Sequence, residues 1–274
     1  MTLATGFALL SAGCGGGGSN FSNSNQQTTQ RFAGAYSGAF VAVGTVSGDD
    51  LAGTFNAAAN KDGAVSGTIL QEGGFPPVPA SGTIANSGAL DIRAKIIVPI
   101  TPPATISTVI SGNATVDNGD SVLTGTTLTT QSGSGSRGRL VGIRTSTSNS
   151  PFAGTYSGSF NGKITTGGTT FNGTLAMTVN ANGLIRGTFT RTATGVRVRP
   201  LIGTIDRAGN AQLFALAEVA VPAGSQNFQL VTNQLTGKAT TSNGVKISGA
   251  LNRTGDASIN ATGTFTATRT STAT

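Results

Sequence analysis

From Phe171 onward, Phe171, Gly173, Leu175, Met177 and Val179 fall on one face, with Asn172, Thr174, Ala176 and Thr178 on the other. A period of two belongs to a half-buried strand, whose successive side chains point to opposite faces. Asn180-Ala181-Asn182-Gly183 then supplies a turn, because Asn and Gly tolerate positive φ. Alternation resumes with Ile185, Gly187 and Phe189 inward and Arg186, Thr188 and Thr190 outward. The same pattern predicts strands at 154–165, 201–206, 211–220, 226–233, 235–240, 245–252 and 261–270, eight or nine in this half, with Asn243-Gly244 the strongest hairpin signal. The first half predicts eight, at 34–46, 51–57, 64–70, 80–85, 89–98, 105–115, 121–129 and 138–146. Its turns are Asn60-Lys61-Asp62-Gly63, Asn86-Ser87-Gly88 and Asp117-Asn118-Gly119. Phe75-Pro76-Pro77-Val78-Pro79 is assigned to loop or edge, since proline cannot donate to a ladder. No stretch after residue 30 carries the i, i+3, i+4, i+7 stripe of an amphipathic helix.

The two halves are copies. Phe32-Ala33-Gly34-Ala35-Tyr36-Ser37-Gly38-Ala39-Phe40 returns 120 positions later as Phe152-Ala153-Gly154-Thr155-Tyr156-Ser157-Gly158-Ser159-Phe160, and these segments hold both tyrosines of the chain. Gly67-Thr68 recurs as Gly187-Thr188, and Arg144-Thr145-Ser146-Thr147 as Arg269-Thr270-Ser271-Thr272. Solenoid units run to about 20–50 residues, so this period indicates duplication of a whole domain. The boundaries drawn are 32–147 for the first domain, 148–151 for a linker and 152–272 for the second.

Glycines share the inward phase: Gly173, Gly187, Gly249 and Gly263. Repeated inward glycine lets strands bend and approach closely, which suits a small closed barrel. Closure also removes sheet edges from a chain with only 10% charged residues to block them. The expected fold is all-β: two tandem antiparallel domains, each an up-and-down barrel of about eight strands. A β-sandwich is the alternative for each domain, and one sixteen-stranded outer-membrane barrel is the alternative for the whole. The latter fits poorly with outward threonine and 5% aromatic residues.

Gly34-Ala35-Tyr36 and Gly154-Thr155-Tyr156 open the repeats, and Arg144 and Arg269 stand in the last strands. This arrangement resembles lipocalin- and avidin-like barrels, in which a Gly-x-Trp on the first strand packs near an arginine of the last. Tyrosine stands here where that family carries tryptophan. The resemblance implies that Tyr36 with Arg144, and Tyr156 with Arg269, close one end of each barrel. It also implies a small apolar or amphipathic ligand in the barrel mouth.

The N-terminus adds an address. Leu10-Ser11-Ala12-Gly13-Cys14, after the apolar run Phe7-Ala8-Leu9-Leu10, resembles a bacterial lipoprotein signal. That resemblance implies removal of residues 1–13 and lipidation of Cys14. Residues 14–31 are rich in Gly, Ser, Asn and Gln and read as a flexible tether. The expected location is the bacterial cell envelope, at the periplasmic or cell-surface face of the outer membrane.

Candidate chemistry is sparse. Histidine is absent, so Ser-His-Asp triads, Cys-His pairs and histidine-ligated metals have no residues to use. The ten acidic residues mostly flank turns; Glu218 within a strand is the exception and reads as solvent-facing. Gly133-Ser134-Gly135-Ser136-Arg137-Gly138 matches a dinucleotide pattern but has no helix after it. Asp117-Asn118-Gly119-Asp120 reads as a turn, lacking the other ligands of a calcium loop. Hence no catalytic residue and no cofactor are assigned, and a non-enzymatic binding or structural module is expected.

Charge is unevenly shared. The first repeat has six Lys/Arg and seven Asp/Glu, whereas the second has ten and three. Arg186, Arg191, Arg197, Arg199 and Arg207 cluster in the sequence, with Arg197 and Arg199 on one strand face. They form a candidate contact for a polyanion such as lipopolysaccharide or an acidic glycan, with a solvated basic face as the plainer alternative. Nucleic acid is disfavoured, because stacking on bases needs aromatics that this chain lacks.

Overall fold

The alternating halves close into two antiparallel, up-and-down barrels of eight strands each. The structure is a computed structural model that describes residues 31–44, 50–72, 76–98, 104–117, 120–131, 134–145, 149–192, 197–220, 228–242, 244–255 and 258–272. The first barrel comprises β1 (Gly34–Gly44), β2 (Asp50–Ala59), β3 (Ala64–Gln71), β4 (Val78–Ile84), β5 (Ala89–Val98), β6 (Ala104–Asp117), β7 (Asp120–Gln131) and β8 (Ser134–Arg144). The second comprises β9 (Gly154–Ile164), β10 (Thr170–Val179), β11 (Leu184–Arg191), β12 (Arg197–Ile205), β13 (Asn210–Ala220), β14 (Phe228–Thr240), β15 (Lys246–Thr254) and β16 (Ala261–Thr272). Closure is made by β1 on β8 and by β9 on β16. The sandwich and the single sixteen-stranded barrel are thereby set aside.

Two details depart from the pattern read along the sequence. The predicted strands 226–233 and 235–240 are one strand, β14. Asn233 does not interrupt it, because its buried side-chain amide donates to the Ala215 carbonyl of β13 at 3.2 Å. Pro79 belongs to β4 rather than to a loop; it sits opposite Thr68, and pairing of β4 with β5 begins one residue later at Ala80. Pro200 repeats this in β12, opposite Thr188 and just before pairing with β13 begins at Leu201. Each proline thus stands at the end of a ladder, where a missing N–H is tolerated. Phe75 lies outside the described residues.

Phenylalanine rings and inward glycines fill the lumens together. Phe40 faces Gly53 across β1 and β2, and Phe160 faces Gly173 across β9 and β10. A Cβ on Gly53 would lie 2.3 Å from the Phe40 ring, and one on Gly173 would lie 2.4 Å from the Phe160 ring. Phe160 stacks on Phe189 at 3.9 Å between centroids and meets Phe171 at 6.2 Å. Around them pack Leu175, Leu201, Leu213, Leu235, Leu251 and Phe265, all buried. In the first barrel, a void of about 10 Å³ remains among Phe55, Ile69, Ile92, Ile110 and Leu140. That space is about one water.

Tight turns gather at one end of each barrel. Asn60 Oδ1 accepts from the Asp62 and Ala64 amides at 3.0 and 2.8 Å, and Asn180 Oδ1 from the Asn182 and Leu184 amides at 2.9 Å each. Asp206 repeats the device, accepting from the Asn210 amide at 2.8 Å. Most connections at the opposite end are longer, although residues 132–133 alone join β7 to β8. Of the Asn243-Gly244 pair, Gly244 has φ +92° between β14 and β15, and Asn243 lies outside the described residues, as do Asn118 and Gly119.

The barrels meet side by side through their outer faces. Ala39, Val41 and Val43 of β1 and Val141 and Ile143 of β8 form one buried apolar cluster with Leu184, Ile202, Phe214 and Leu216 of the second barrel. Arg139 lies over the Phe214 ring at 5.7 Å, and Ser150 in the linker donates its amide to the Ala181 carbonyl at 2.7 Å. In consequence β1 is buried on both faces, while its counterpart β9 alternates strictly. Phe214→Ala is expected to cost about 3 kcal/mol, the usual scale for truncating a buried ring. It should also split one thermal transition into two, as calorimetry would record; a single unshifted transition would show that the seam does not couple the barrels.

Candidate functional site

Each barrel has a tyrosine end and a loop end, and the two differ in chemistry. At the tyrosine end, Tyr36 faces Arg144 in register across β1 and β8, as Tyr156 faces Arg269 across β9 and β16. The Tyr36 hydroxyl donates to the Phe32 carbonyl at 2.7 Å and lies 2.7 Å from Ser121 Oγ. Tyr156 donates to the Phe152 carbonyl at 2.6 Å. Arg144 donates from one nitrogen to the carbonyls of Arg31 and Ala33, at 3.2 and 3.4 Å. Arg269 does the same to Pro151 and Ala153, at 3.2 and 3.4 Å.

Glycine is required between these partners. Gly34 and Gly154 both have φ +146°, and a Cβ on either would come within 2.8 Å of the arginine Cδ. Gly-x-Tyr therefore lets the arginine stem cross the entering chain while the phenol secures its carbonyl. Burial raises both phenols above their ordinary value; for Tyr36 the Ser121 hydrogen bond and then Arg144 oppose this, and for Tyr156 Arg269 does. Tyr36, Arg144, Tyr156 and Arg269 thus anchor the chain entering each barrel.

At the loop end of the second barrel, inward positions turn from apolar to cationic. Along β11 the inward phase runs Ile185, Gly187, Phe189, Arg191; along β15 it runs Ile247, Gly249, Leu251, Arg253. On β12, Arg199 precedes Leu201, Gly203 and Ile205 in the same phase and pairs in register with Phe189, while Arg197 pairs with Arg191. Arg191 and Arg253 lie 5.3 and 5.4 Å from the centroid of one ring, Phe171. Arg253 is only 5% exposed, and its pKa is lowered to about 10, by burial first and by Arg191 second. It remains a cation at neutral pH. At the corresponding end of the first barrel, the buried polar side chains among the described residues are the uncharged Thr127 and Ser136.

The five arginines singled out in the sequence therefore do not form one patch. Arg191 and Arg199 gather with Arg253 at the loop end, with Arg197 beside them by register. Arg186 points outward and pairs with Glu72 of the first barrel. Arg207 is exposed in the turn between β12 and β13, at the tyrosine end. Neighbours in sequence were separated because alternation sends Arg186 and Arg191 to opposite faces, and a strand length lies between Arg199 and Arg207. Arg253 was missed, although its inward phase after Ile247 and Leu251 was readable.

Other candidates disperse. Asp91 pairs with Arg93 at 3.4 Å on the surface, and Asp62 and Asp206 lie in turns. Among the described residues no three His, Cys, Asp or Glu come together as metal ligands would. Glu218 sits opposite Leu230 in register, with its side chain outside the described residues. Gly135 to Gly138 form the start of β8 rather than a phosphate loop, and Cys14 lies outside the described residues. A cleft of about 470 Å³ opens between the barrels, walled by Phe40, Leu184, Pro200 and Ile202 and edged by Asn180 and the Glu72–Arg186 pair.

A tandem pair of closed eight-stranded antiparallel barrels is the class that this fold defines. No protein-family model matches the chain, and no curated protein does. Among solved structures it is similar to a protein of unknown function of the DUF3598 family from Nostoc punctiforme. The identity is 12%, covering 90% of this chain and 100% of that one, with a TM-score of 0.24. A likeness of that size carries no argument about fold or function.

Tyr36→Phe leaves two partners unmet and is expected to cost about 2 kcal/mol, against about 1 kcal/mol for Tyr156→Phe. With folded pKa values above 10.0, the phenols favour folding fully below that pH and lose this contribution as pH rises through the raised values. Denaturant titrations on either side of pH 10 should therefore show a smaller alkaline loss in the double phenylalanine variant than in the native chain.

Proposed function

We propose that the protein is a non-enzymatic, lipid-anchored module of the bacterial cell envelope that holds an anionic glycan or lipopolysaccharide at the loop end of its second barrel. The observation that carries this reading is the convergence of Arg191, Arg199 and Arg253, with Arg197 by register, on one barrel end. Such cations are costly to gather: directly opposed like charges destabilise a sheet, and buried ones lose hydration. An anionic partner offsets both costs. The lumens are occupied by side chains, which turns the reading toward the barrel ends and outer faces rather than a lipocalin-like interior ligand.

Anchoring rests on the sequence around Cys14 and the polar tether behind it. Fused through an apolar seam, the barrels would stand off the membrane as one body. The same construction suits a spacer or adhesin. Among the described residues no helix is long and apolar enough to cross a membrane.

The cleft between the barrels supports a second reading. Its volume, about 470 Å³, lies in the range of small-molecule sites, and its apolar walls with a charged rim suit an amphipathic ligand. A ligand there would stabilise the seam as well.

Two measurements bear on these readings. Cys14→Ala should move the protein from the membrane to the soluble fraction; persistence at the membrane would remove the anchor. Heparin and lipopolysaccharide binding should weaken steeply with salt, because each cation–anion contact releases counterions. Arg191→Gln with Arg199→Gln should lower that slope by about 2. Retention indifferent to both salt and these changes would shift the reading to the cleft.

A further inference from the structure

Arg253 Nε is buried and meets no acceptor among the described residues, although the side chain is only 5% exposed. Its guanidinium and that of Arg191 attend the same Phe171 ring. Opposite Arg253 in register stands Asn233, whose amide is committed to the Ala215 carbonyl at 3.2 Å. A buried guanidinium with an unmet donor, close to a second guanidinium, is an unfavourable arrangement for the empty protein. Aromatic contact compensates only in part.

We propose that the loop end of the second barrel is a site for one tetrahedral oxoanion group, a phosphate or sulfate ester, clasped by Arg253 and Arg191 against Phe171. This rests on the polyanion reading and sharpens it. One group of the polymer or headgroup enters the barrel mouth end-on, and the remainder passes over the start of β12, where Arg197 and Arg199 stand. Each guanidinium presents a fork of donors; a carboxylate could take two forks only by filling every lone pair of its two oxygens, whereas the three or four oxygens of a tetrahedral group receive them from separate directions. Phe171 supplies an apolar wall that a free hydrated ion does not use but the ester carbon can.

The test uses the full chain and inorganic phosphate, titrated at constant ionic strength with chloride as the balancing anion. Thermal unfolding should shift upward and saturate. Arg253→Met, which keeps the side-chain bulk, should weaken the apparent phosphate affinity at least tenfold. In phosphate-free chloride the same variant should melt at or above the native temperature, because it removes a buried cation with an unmet Nε donor. If it instead melts lower and keeps the phosphate response, Arg253 is structural and the site is wrong. Asp256, three residues along and outside the described residues, supplies a control. If Asp256→Asn creates a phosphate response that the native chain lacks, the Asp256 carboxylate is itself the anion and the proposal falls.

Two further arms identify the source of the group. Competition by heparin oligosaccharides assigns a glycan sulfate. Binding of the Cys14→Ala chain to phosphatidylcholine vesicles containing phosphatidic acid, but not to pure phosphatidylcholine, assigns a lipid phosphate. Either outcome supports the site. Heparin binding without any phosphate response overturns the mouth site alone, whereas absence of both overturns the polyanion reading with it.

Discussion

The width of an eight-stranded barrel governs most of what this chain does with its residues. Eight strands enclose a space that side chains can just fill. Here a phenylalanine ring at one inward position requires the facing position to be bare, as in the pairs Phe40–Gly53 and Phe160–Gly173. Glycine at these inward strand positions follows from that packing rather than from flexibility. A lumen filled in this way has little room for a ligand, so recognition is displaced to the places where the filling stops.

Those places are the ends, and the two ends are built on opposite principles. At the tyrosine end, phenols and arginines hold the carbonyls of the incoming chain, and Asn or Asp side chains accept from the turn amides. At the loop end of the second barrel cations accumulate instead, and the buried Arg253 Nε meets no acceptor among the described residues. The first barrel shares the closed end but not the cationic one. Duplication preserved the scaffold and allowed one copy to diverge electrostatically.

Period-two alternation made the strands, their inward faces and the duplication legible in the sequence, because each depends on local spacing alone. The Gly-x-Tyr and terminal arginine were legible for the same reason: they recur at the same place in both copies. What alternation could not supply was the partner of an outward face. Val41 and Val43 were taken into a strand without a reason for apolar residues on its outer side. A comparison of the copies held the signal, since Asn161 and Lys163 stand at those positions in the second repeat. The arginines were misplaced for a related reason. Proximity in sequence grouped Arg186 and Arg207 with Arg191, although strand phase and strand length separate them.

The seam between the barrels joins unlike surfaces, the β1–β8 face of one copy to the β11–β13 face of the other. Contacts of that kind are head-to-tail; if both copies kept both faces, each chain would offer a fresh docking surface, and growth would continue into a ring or a fibre according to whether the rotation closes. The duplicated chain has neutralised the two spare faces. The first copy carries Ser81, Arg93 and Lys95 where the second has Ile202, Phe214 and Leu216, and the second carries Ser159, Asn161 and Lys163 where the first has Ala39, Val41 and Val43. Divergence between the repeats therefore removes the matching faces that a second seam of this kind would need.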